Sequence, residues 1–286
     1  FRPKPFLCRL QAGPGREHKP KARPESKMSF PPAHRPLEIK IGSSLIGPGL
    51  KTLIVAEIGG NHGGDPQLAW RLVQAAAAAQ ADAVKFQAYR SADFLSPLSP
   101  YYHELAEEEL SFEDLAELIA RSKTLGLAAG VTVFDQAGLE LAADSQADFI
   151  KISSGDITHS NLLTKAASAG RPLFISTGAS TEDEVRNALN HLESVRKSLV
   201  VLQCASLYPP PPESANLGGM KAWLSSGLAA GYSDHVLGLE AALAAISLGA
   251  WVLEKHFTID RGLPGGDNSI SVEPQELAVL NGQAAR

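Results

Sequence analysis

The chain has 286 residues, of which 44% are hydrophobic and 20% are charged, and its formal net charge is -5 at pH 7. This balance is typical of a globular protein in water, and the negative net charge argues against a nucleic-acid partner. No stretch approaches the ~20 consecutive apolar residues of a transmembrane helix, and the N-terminus lacks the apolar core of a secretory signal. Because the cysteines are only Cys8 and Cys204, we expect no disulfide framework and predict a reducing, cytoplasmic location.

Residues 1–36 differ in composition from the rest of the chain. They are rich in proline and basic residues and lack the periodicity of a helix or a strand. Such a segment cannot bury enough apolar surface to offset the entropy cost of ordering, so we predict that it is disordered. Three interpretations stay open: a basic arm for an anionic partner, a transit-like peptide, and translated sequence upstream of a start at Met28.

A regular pattern begins after this segment, and we assign 37–286 to one domain. Residues 38–42 alternate polar and apolar side chains, which predicts a short strand that closes the bottom of a barrel. Strand-like runs follow at 53–58, 83–87, 128–133, 149–152, 173–176, 199–204, 228–232 and 251–256. Helical patterns lie between most of them, at 66–79, 111–125, 161–169, 181–194, 217–225 and 239–248.

Strands that alternate repeatedly with helices predict a (β/α)8 TIM barrel. The strand-like runs are mostly continuous apolar stretches, as expected for strands that are covered on both faces. The longest insertion, 89–110, precedes the third strand and can form a lid or a substrate loop. In such a barrel the chemistry takes place at the carboxyl ends of the strands.

Two histidines end the last two predicted strands. His235 follows the seventh run and His256 ends the eighth. Either histidine alone is more often a satisfied, partly buried side chain than a ligand. Two of them in matching positions on neighbouring strands favour a shared divalent metal.

Two lysines lie inside apolar strands, in the tripeptides VKF (84–86) and IKI (150–152). A buried ammonium group requires a partner charge. We predict that Lys85 and Lys151, together with hydroxyl groups from neighbouring strand ends, bind a phosphate or a carboxylate. The alternative is that both lysines pair only with carboxylates of the barrel.

Several motifs occur in a fixed order along 53–275: AEIGGNHGG (56–64), ADAVKFQ (81–87), DFIKISSGD (148–156), STG (176–178), CASLYP (204–209), NLGGM (216–220), GYSDH (231–235), LGAWVLEKHFTID (248–260) and PGGDNSIS (264–271). In these motifs the chain resembles the sialic acid synthases and their relatives that make legionaminic and pseudaminic acids. The resemblance implies a (β/α)8 barrel that condenses phosphoenolpyruvate with an N-acyl amino sugar. The sugar would be N-acetylmannosamine or a 2,4-diacetamido-6-deoxyhexose, and the products a nine-carbon 2-keto acid and phosphate.

The resemblance also implies roles for individual residues. Divalent Mn2+ or Mg2+ is expected on His235 and His256. Catalytic positions fall on Glu57, Lys85 and Lys151. Positions that contact phosphoenolpyruvate or the sugar fall on Gln87, Thr132, Ser154, Asp156, Ser176, Ser206, Tyr208, Ser233 and Asp267. Two of these depart from the family pattern, since Ser206 stands where some members have Asn and Asp156 where a Glu is expected.

Members of the family usually continue into a C-terminal antifreeze-like domain that caps the site of a partner subunit, so the resemblance implies a homodimer. The sequence stops at Arg286, and we interpret it as a fragment or as a barrel without that domain. Two other functions stay open. One is a lysine Schiff-base aldolase that uses Lys85 or Lys151, and the other is a barrel that acts as a binding module without full activity.

Overall fold

The structure is a computed structural model that describes residues 38–284. The predictions about residues 1–36 and about Cys8 lie outside the described residues. The described chain opens with a hairpin, in which β1 (Ile39–Ile41) pairs antiparallel with β2 (Ser44–Ile46). The alternating pattern at 38–42 predicts the first of these strands but not its partner.

Within residues 38–284, eight parallel strands close into a barrel, which confirms the predicted (β/α)8 fold. They are β3 (Leu53–Glu57), β4 (Ala83–Ala88), β5 (Ala128–Val133), β6 (Phe149–Ile152), β7 (Leu173–Ser176), β8 (Leu199–Cys204), β9 (Ala229–Asp234) and β10 (Val252–His256). Each strand pairs with the next along the chain, and β10 pairs with β3 to complete the ring. The carboxyl ends of all these strands therefore surround one opening.

Helices cover the outside of the barrel: α1 (Pro66–Ala78), α2 (Ser91–Phe94), α3 (Tyr102–Glu107), α4 (Phe112–Thr124), α5 (Gln136–Asp144), α6 (Ser160–Ser168), α7 (Glu182–His191), α8 (Leu217–Ser225), α9 (Glu240–Ser247) and α10 (Pro274–Ala284). Helix α5 is not predicted from the sequence, because it is short and carries Gly138 in its first turn, which weakens the helical pattern. Between residues 38 and 284, no helix combines the length and the apolar character that crossing a bilayer requires.

Strand alternation divides the core into two clusters. Side chains that point outward, such as Ile54 and Val84, pack against the helices. Side chains that point inward, such as Val55 and Ala83, fill the lower part of the barrel together with Ile41 of the hairpin. The hairpin therefore closes the bottom of the barrel, as predicted.

Two aromatic rings block the lower half of the barrel. The rings of Phe149 and Phe174 stack with their centroids 4.5 Å apart. They fit because β5 presents Gly130 to them, and a Cβ atom at this position would overlap the ring of Phe149. The interior above this aromatic layer is polar and open toward the carboxyl ends of the strands.

Replacement of this glycine tests the packing of the aromatic layer. Gly130→Ala should lower the free energy of unfolding by about 1–3 kcal/mol or more, because the added methyl group overpacks the barrel. Gly282→Ala is the matched control, since Gly282 lies in α10 with open space around its Cα. Alanine there should stabilise the protein by about 0.5–1 kcal/mol. Equal midpoints in urea unfolding for the two variants would contradict the packing argument.

The glycine-rich turn after β3 carries a buried histidine, His62, whose Nδ1 accepts a hydrogen bond from the backbone N–H of Gly64 at 3.1 Å. Burial lowers the pKa of His62 to about 4, because desolvation outweighs the favourable contacts with Gly59 and Asp65. Below about pH 6.5, His62 takes up a proton in the unfolded chain but not in the folded one. The protein therefore keeps its full stability only above that pH. We expect the free energy of unfolding to decrease by up to about 3 kcal/mol as the pH falls from 6.5 toward 4. Urea unfolding of wild type and of His62→Gln across this range measures the difference, and parallel pH profiles would contradict it.

Candidate active site

A cavity opens at the carboxyl ends of the barrel strands. Its wall contains all the predicted site residues except Asp156 and Asp267. The lining residues are Glu57, Lys85, Gln87, Thr132, Phe134, Lys151, Ser153, Ser154, Ser176, Cys204, Ser206, Tyr208, Ser233, His235, Glu254 and His256. The prediction that the two histidines and the two lysines face one opening therefore agrees with the described geometry.

Strand alternation explains why these side chains meet. Residues two apart on a strand point to the same face. Lys85 and Gln87 thus enter the cavity together from β4, and Glu254 and His256 enter together from β10. The residue between the latter two, Lys255, points to the opposite face of the strand.

Glu254 is the hub of a buried ion-pair network. Its Oε1 lies 2.9 Å from Nζ of Lys151 and accepts a hydrogen bond from Oγ of Ser233 at 2.9 Å. Its Oε2 lies 3.7 Å from Nζ of Lys85. The sequence places Glu254 near the strand ends without assigning it a role. Glu254 lies two residues before His256 on β10, and this spacing could have predicted that both side chains enter the same cavity.

The second half of the network is centred on Lys85. Its Nζ lies 2.7 Å from Oε2 of Glu57 and donates a hydrogen bond to Oγ1 of Thr132 at 2.7 Å. Gln87 donates to the other oxygen of Glu57 at 2.9 Å. Both predicted lysines are therefore paired with barrel carboxylates, which the alternative interpretation expected. The hydroxyl groups around them, which the anion-site interpretation expected, are also present.

The network determines the charge of each carboxyl group. Burial raises the pKa of Glu57, and the favourable charge of Lys85 offsets this only in part. Burial also opposes ionisation of Glu254, but Lys151 and Lys85 outweigh it and hold the pKa of that carboxyl well below its usual range. Glu254 is thus a permanent anion, while Glu57 is the carboxyl group that can take up a proton. The pKa of Lys85 is raised because Glu254 and Glu57 outweigh desolvation, so Lys85 remains a cation.

The two histidines lie side by side, with ring centroids 5.4 Å apart. Nδ1 of His235 lies 2.8 Å from the carbonyl oxygen of Ala205. A carbonyl can only accept, so Nδ1 carries the proton and Nε2 keeps its lone pair for a ligand. The ring of Tyr208 stacks on His235 with a centroid distance of 4.0 Å.

The protonation state of this pair suits a metal. Burial lowers the pKa of His235 to about 4, and burial followed by the charges of His235 and Lys85 keeps the pKa of His256 well below its usual value. Neutral imidazole is the form that binds divalent ions, and an N–H donated to a backbone carbonyl is typical of a metal-bound histidine. Among residues 38–284, no group of three or more His, Cys, Asp or Glu side chains gathers around a common point. The two neutral imidazoles are the side chains of this wall that could serve as ligands to a divalent ion.

The two predicted residues outside the cavity lining contact residues that belong to it. Oδ2 of Asp267 is 3.4 Å from Nδ1 of His256, and burial with the nearby charges of Glu108 and Glu57 raises the pKa of Asp267 to about 7. The carboxylate of Asp156 accepts a hydrogen bond from Oγ of Ser153, a lining residue, at 2.5 Å.

The STG turn (176–178) brings two serines together at the cavity wall. The backbone N–H of Gly178 donates to Oγ of Ser154 at 3.0 Å. A Cβ atom at this glycine would overlap Oγ of Ser206, so the close approach of these loops requires glycine. Oγ of Ser176 is buried in the same wall and has no hydrogen-bond partner among the described residues, so it is available to a ligand.

Cys204 lines the same cavity. It is buried, and its Sγ is 3.7 Å from Nδ1 of His235. Burial raises the pKa of the thiol to about 11, which argues against a nucleophilic role.

Known proteins share this barrel and its motifs. An uncharacterised protein of Methanocaldococcus jannaschii is 39% identical over 242 residues, 84% of this chain and 72% of that protein. The N,N'-diacetyllegionaminic acid synthase of Campylobacter jejuni is 37% identical over 248 residues, 80% of this chain and 74% of that protein. The crystal structure of N-acetylneuraminic acid synthetase from Leptospira borgpetersenii, in complex with citrate, has a TM-score of 0.83 at 35% identity and covers 86% of this chain and 87% of that chain.

A family model extends the comparison to most of the barrel. The model of the NeuB family matches residues 72–286, which contain both lysines, both histidines and Glu254. This match confirms the resemblance carried by the sequence motifs, and the chain belongs to the NeuB family.

Proposed function

We propose that the chain condenses phosphoenolpyruvate with an N-acyl amino sugar to give a nine-carbon 2-keto acid and phosphate. The observation that carries this proposal is the convergence of two buried lysines and two neutral histidines on one cavity of a NeuB-family barrel. Relatives of the chain are named legionaminic, pseudaminic and N-acetylneuraminate-9-phosphate synthases. A barrel with both an anion-binding wall and a metal-binding wall suits a reaction between a phosphorylated acid and an aldehyde.

Lys85 and Lys151 would bind the phosphate and the carboxylate of phosphoenolpyruvate. Each ammonium group has three N–H donors, so it can hold its carboxylate partner and still donate to a ligand. Hydroxyl groups that line the same wall would complete the site: Thr132, Ser154, Ser176, Ser206 and Ser233. An additional anion in this wall would raise the pKa of Glu57 further, which makes its carboxylate a stronger base.

His235 and His256 would hold a divalent metal, either Mn2+ or Mg2+, and imidazole ligands favour Mn2+ of the two. When bound there, the ion would supply Lewis-acid polarisation of the sugar aldehyde. The contact between Asp267 and Nδ1 of His256 would orient that imidazole toward the cavity.

The bond changes follow from this arrangement. C3 of phosphoenolpyruvate attacks the aldehyde carbon, which forms the new C–C bond and leaves a cation at C2 that is stabilised by the enol oxygen. The aldehyde oxygen becomes an alkoxide in this step. Water then adds to C2, and Glu57 positions the water and takes the proton that it loses. One proton of the water ends on the alkoxide, and the other leaves with the phosphate. The tetrahedral intermediate then loses phosphate by cleavage of its C–O bond, and the keto group forms.

Selection of the sugar would fall to residues around the cavity mouth, including Gln87, Tyr208, Asp156 and Asp267. The insertion at 89–110 contributes through Glu108, which is buried and accepts a hydrogen bond from the N–H of Gly266 at 2.7 Å, next to Asp267. N-acetylmannosamine and a 2,4-diacetamido-6-deoxyhexose are the candidate sugars. A cytoplasmic location and a homodimer belong to the same proposal.

Two rival functions are separable by experiment. A Schiff-base aldolase needs an uncharged lysine, whereas the carboxylates around Lys85 hold it as a cation. Borohydride with a keto acid would trap an adduct only in that mechanism. A binding module would release no phosphate from phosphoenolpyruvate.

The deciding experiment offers both candidate sugars in parallel with phosphoenolpyruvate. We expect phosphate release that depends on one sugar, together with a product whose mass equals the sum of phosphoenolpyruvate, sugar and water minus phosphoric acid. Phosphate release without either sugar, or a borohydride-trapped lysine, would contradict the proposal.

The histidine pair can be tested by single substitutions. His235→Ala and His256→Ala should each reduce kcat by on the order of 10³-fold, since each removes half of the protein ligands to the metal. His191→Ala is the control, because His191 lies on the exposed end of α7. Steady-state phosphate release and circular dichroism measure activity and folding. Near-normal turnover in His235→Ala or His256→Ala would contradict the assignment of these two histidines as metal ligands.

The lysines should separate the two substrates. Lys85→Ala and Lys151→Ala should raise the KM for phosphoenolpyruvate by on the order of 10–100-fold, as expected for loss of a charge-assisted contact. The KM for the sugar should change far less. Lys221→Ala, at an exposed position of α8, is the control. Equal increases in both KM values would argue against separate walls for the two substrates.

A further inference from the structure

A second ion pair lies behind the two histidines, on the outer face of the barrel. Asp234 ends β9 directly before His235, and Lys255 directly precedes His256 on β10. The two residues are register partners in the parallel ladder. Both are buried, with 1% and 2% of their surfaces exposed. We call this pair the clamp.

The clamp also holds the chain where it leaves β9. Nζ of Lys255 donates to Oδ2 of Asp234 at 2.6 Å and to the carbonyl oxygen of Val236 at 2.7 Å. The backbone N–H of Val236 donates to the other oxygen of Asp234 at 2.9 Å. Strand β9 ends at Asp234, so the clamp provides the hydrogen bonds that Val236 no longer receives from the ladder. The backbone on both sides of His235 is thereby tied to β10.

The inner face carries a matching link one residue earlier. Ser233 and Glu254 are register partners, and their side chains are hydrogen-bonded at 2.9 Å. Strands β9 and β10 are thus joined by side chains on both faces immediately before the two histidines. A slip between the strands would break both links.

Stability alone does not account for the clamp. Removing two charges from water costs several kcal/mol per ion, and apolar pairs of similar volume are often as stable as buried ion pairs. An apolar pair, however, could not bind the N–H and the carbonyl of Val236. The clamp fixes the turn after β9, and this turn sets the orientation of His235 relative to His256.

We propose that Asp234 and Lys255 are positioning residues that hold the two imidazoles at the spacing needed to share one divalent metal ion. This inference rests on the metal site of the proposed function. The clamp contacts neither substrate nor metal, and it acts through the backbone of the two histidines. Partners outside the ligand shell commonly change metal affinity by about 10–100-fold, and we expect an effect of this size.

The test compares Asp234→Asn/Lys255→Met with Thr52→Val. The double variant has no charged side chain at the clamp. The side-chain oxygen of its asparagine can still accept a hydrogen bond from the N–H of Val236, so the variant should fold. Thr52→Val removes a buried hydrogen bond to the carbonyl oxygen of Ala250 at the opposite end of the barrel and therefore controls for general loosening. Binding is measured with Mn2+ alone, by the electron paramagnetic resonance signal of the free ion, and stability by thermal unfolding. His235→Ala is included as the site-less reference.

We expect the double variant to bind Mn2+ about 10–100-fold more weakly than wild type, with an unfolding temperature close to that of Thr52→Val and an unchanged KM for phosphoenolpyruvate. Wild-type affinity in the double variant, or an equal loss in Thr52→Val, would overturn the positioning role and leave the proposed function standing. Equal Mn2+ binding by wild type and His235→Ala would overturn both the clamp and the metal site. Phosphate release by the wild type would then decide separately whether the condensation itself survives. Asp234→Asn/Lys255→Leu, which again leaves no unpaired charge at the clamp, provides a second variant if the first does not fold, with the same expected loss of Mn2+ affinity.

Discussion

Two buried ammonium groups and two buried carboxyl groups neutralise one another in the mouth of the barrel, and the rest of the site is built around this balance. An isolated charge at this depth would carry a large desolvation cost, so each member requires the others. Glu254 contacts both lysines, directly or at the edge of ion-pair distance, and thereby joins strands β4, β6 and β10. Within this network burial raises the pKa of Glu57, whereas the two lysines keep Glu254 ionised.

This charge balance is set beside a neutral region. Burial, together with the positive charges of the nearby lysines, lowers the pKa values of the two histidines and keeps them unprotonated. A wall of paired charges and a wall with two neutral imidazoles therefore lie in one cavity. This division matches the needs of a reaction in which one substrate is a highly charged anion and the other is a sugar aldehyde.

Loops outside the strands complete the site. Asn61, from the glycine-rich turn, donates to the carbonyl oxygen of Phe257 and accepts from the N–H of Asp267, so it joins the first and last strand ends. The insertion at 89–110 closes on the same region through Glu108, while Glu109 accepts from the N–H and hydroxyl of Ser91 at the start of α2. These hydrogen bonds connect the loops at the carboxyl ends of the strands to the barrel, and none of them involves the ion-pair network.

Periodicity by itself determined the barrel, because alternating apolar runs and amphipathic segments report burial directly. It determined which strand ends carry lysine, histidine and hydroxyl groups, and the order of the motifs determined the family. Only the tertiary structure decided that Glu254 joins both lysines, that Asp156 and Asp267 contact lining residues without lining the cavity, and that Asp234 pairs with Lys255. The reason is that sequence reports the face on which a side chain lies, whereas its partner depends on strand register and on contacts between residues that are far apart in the chain.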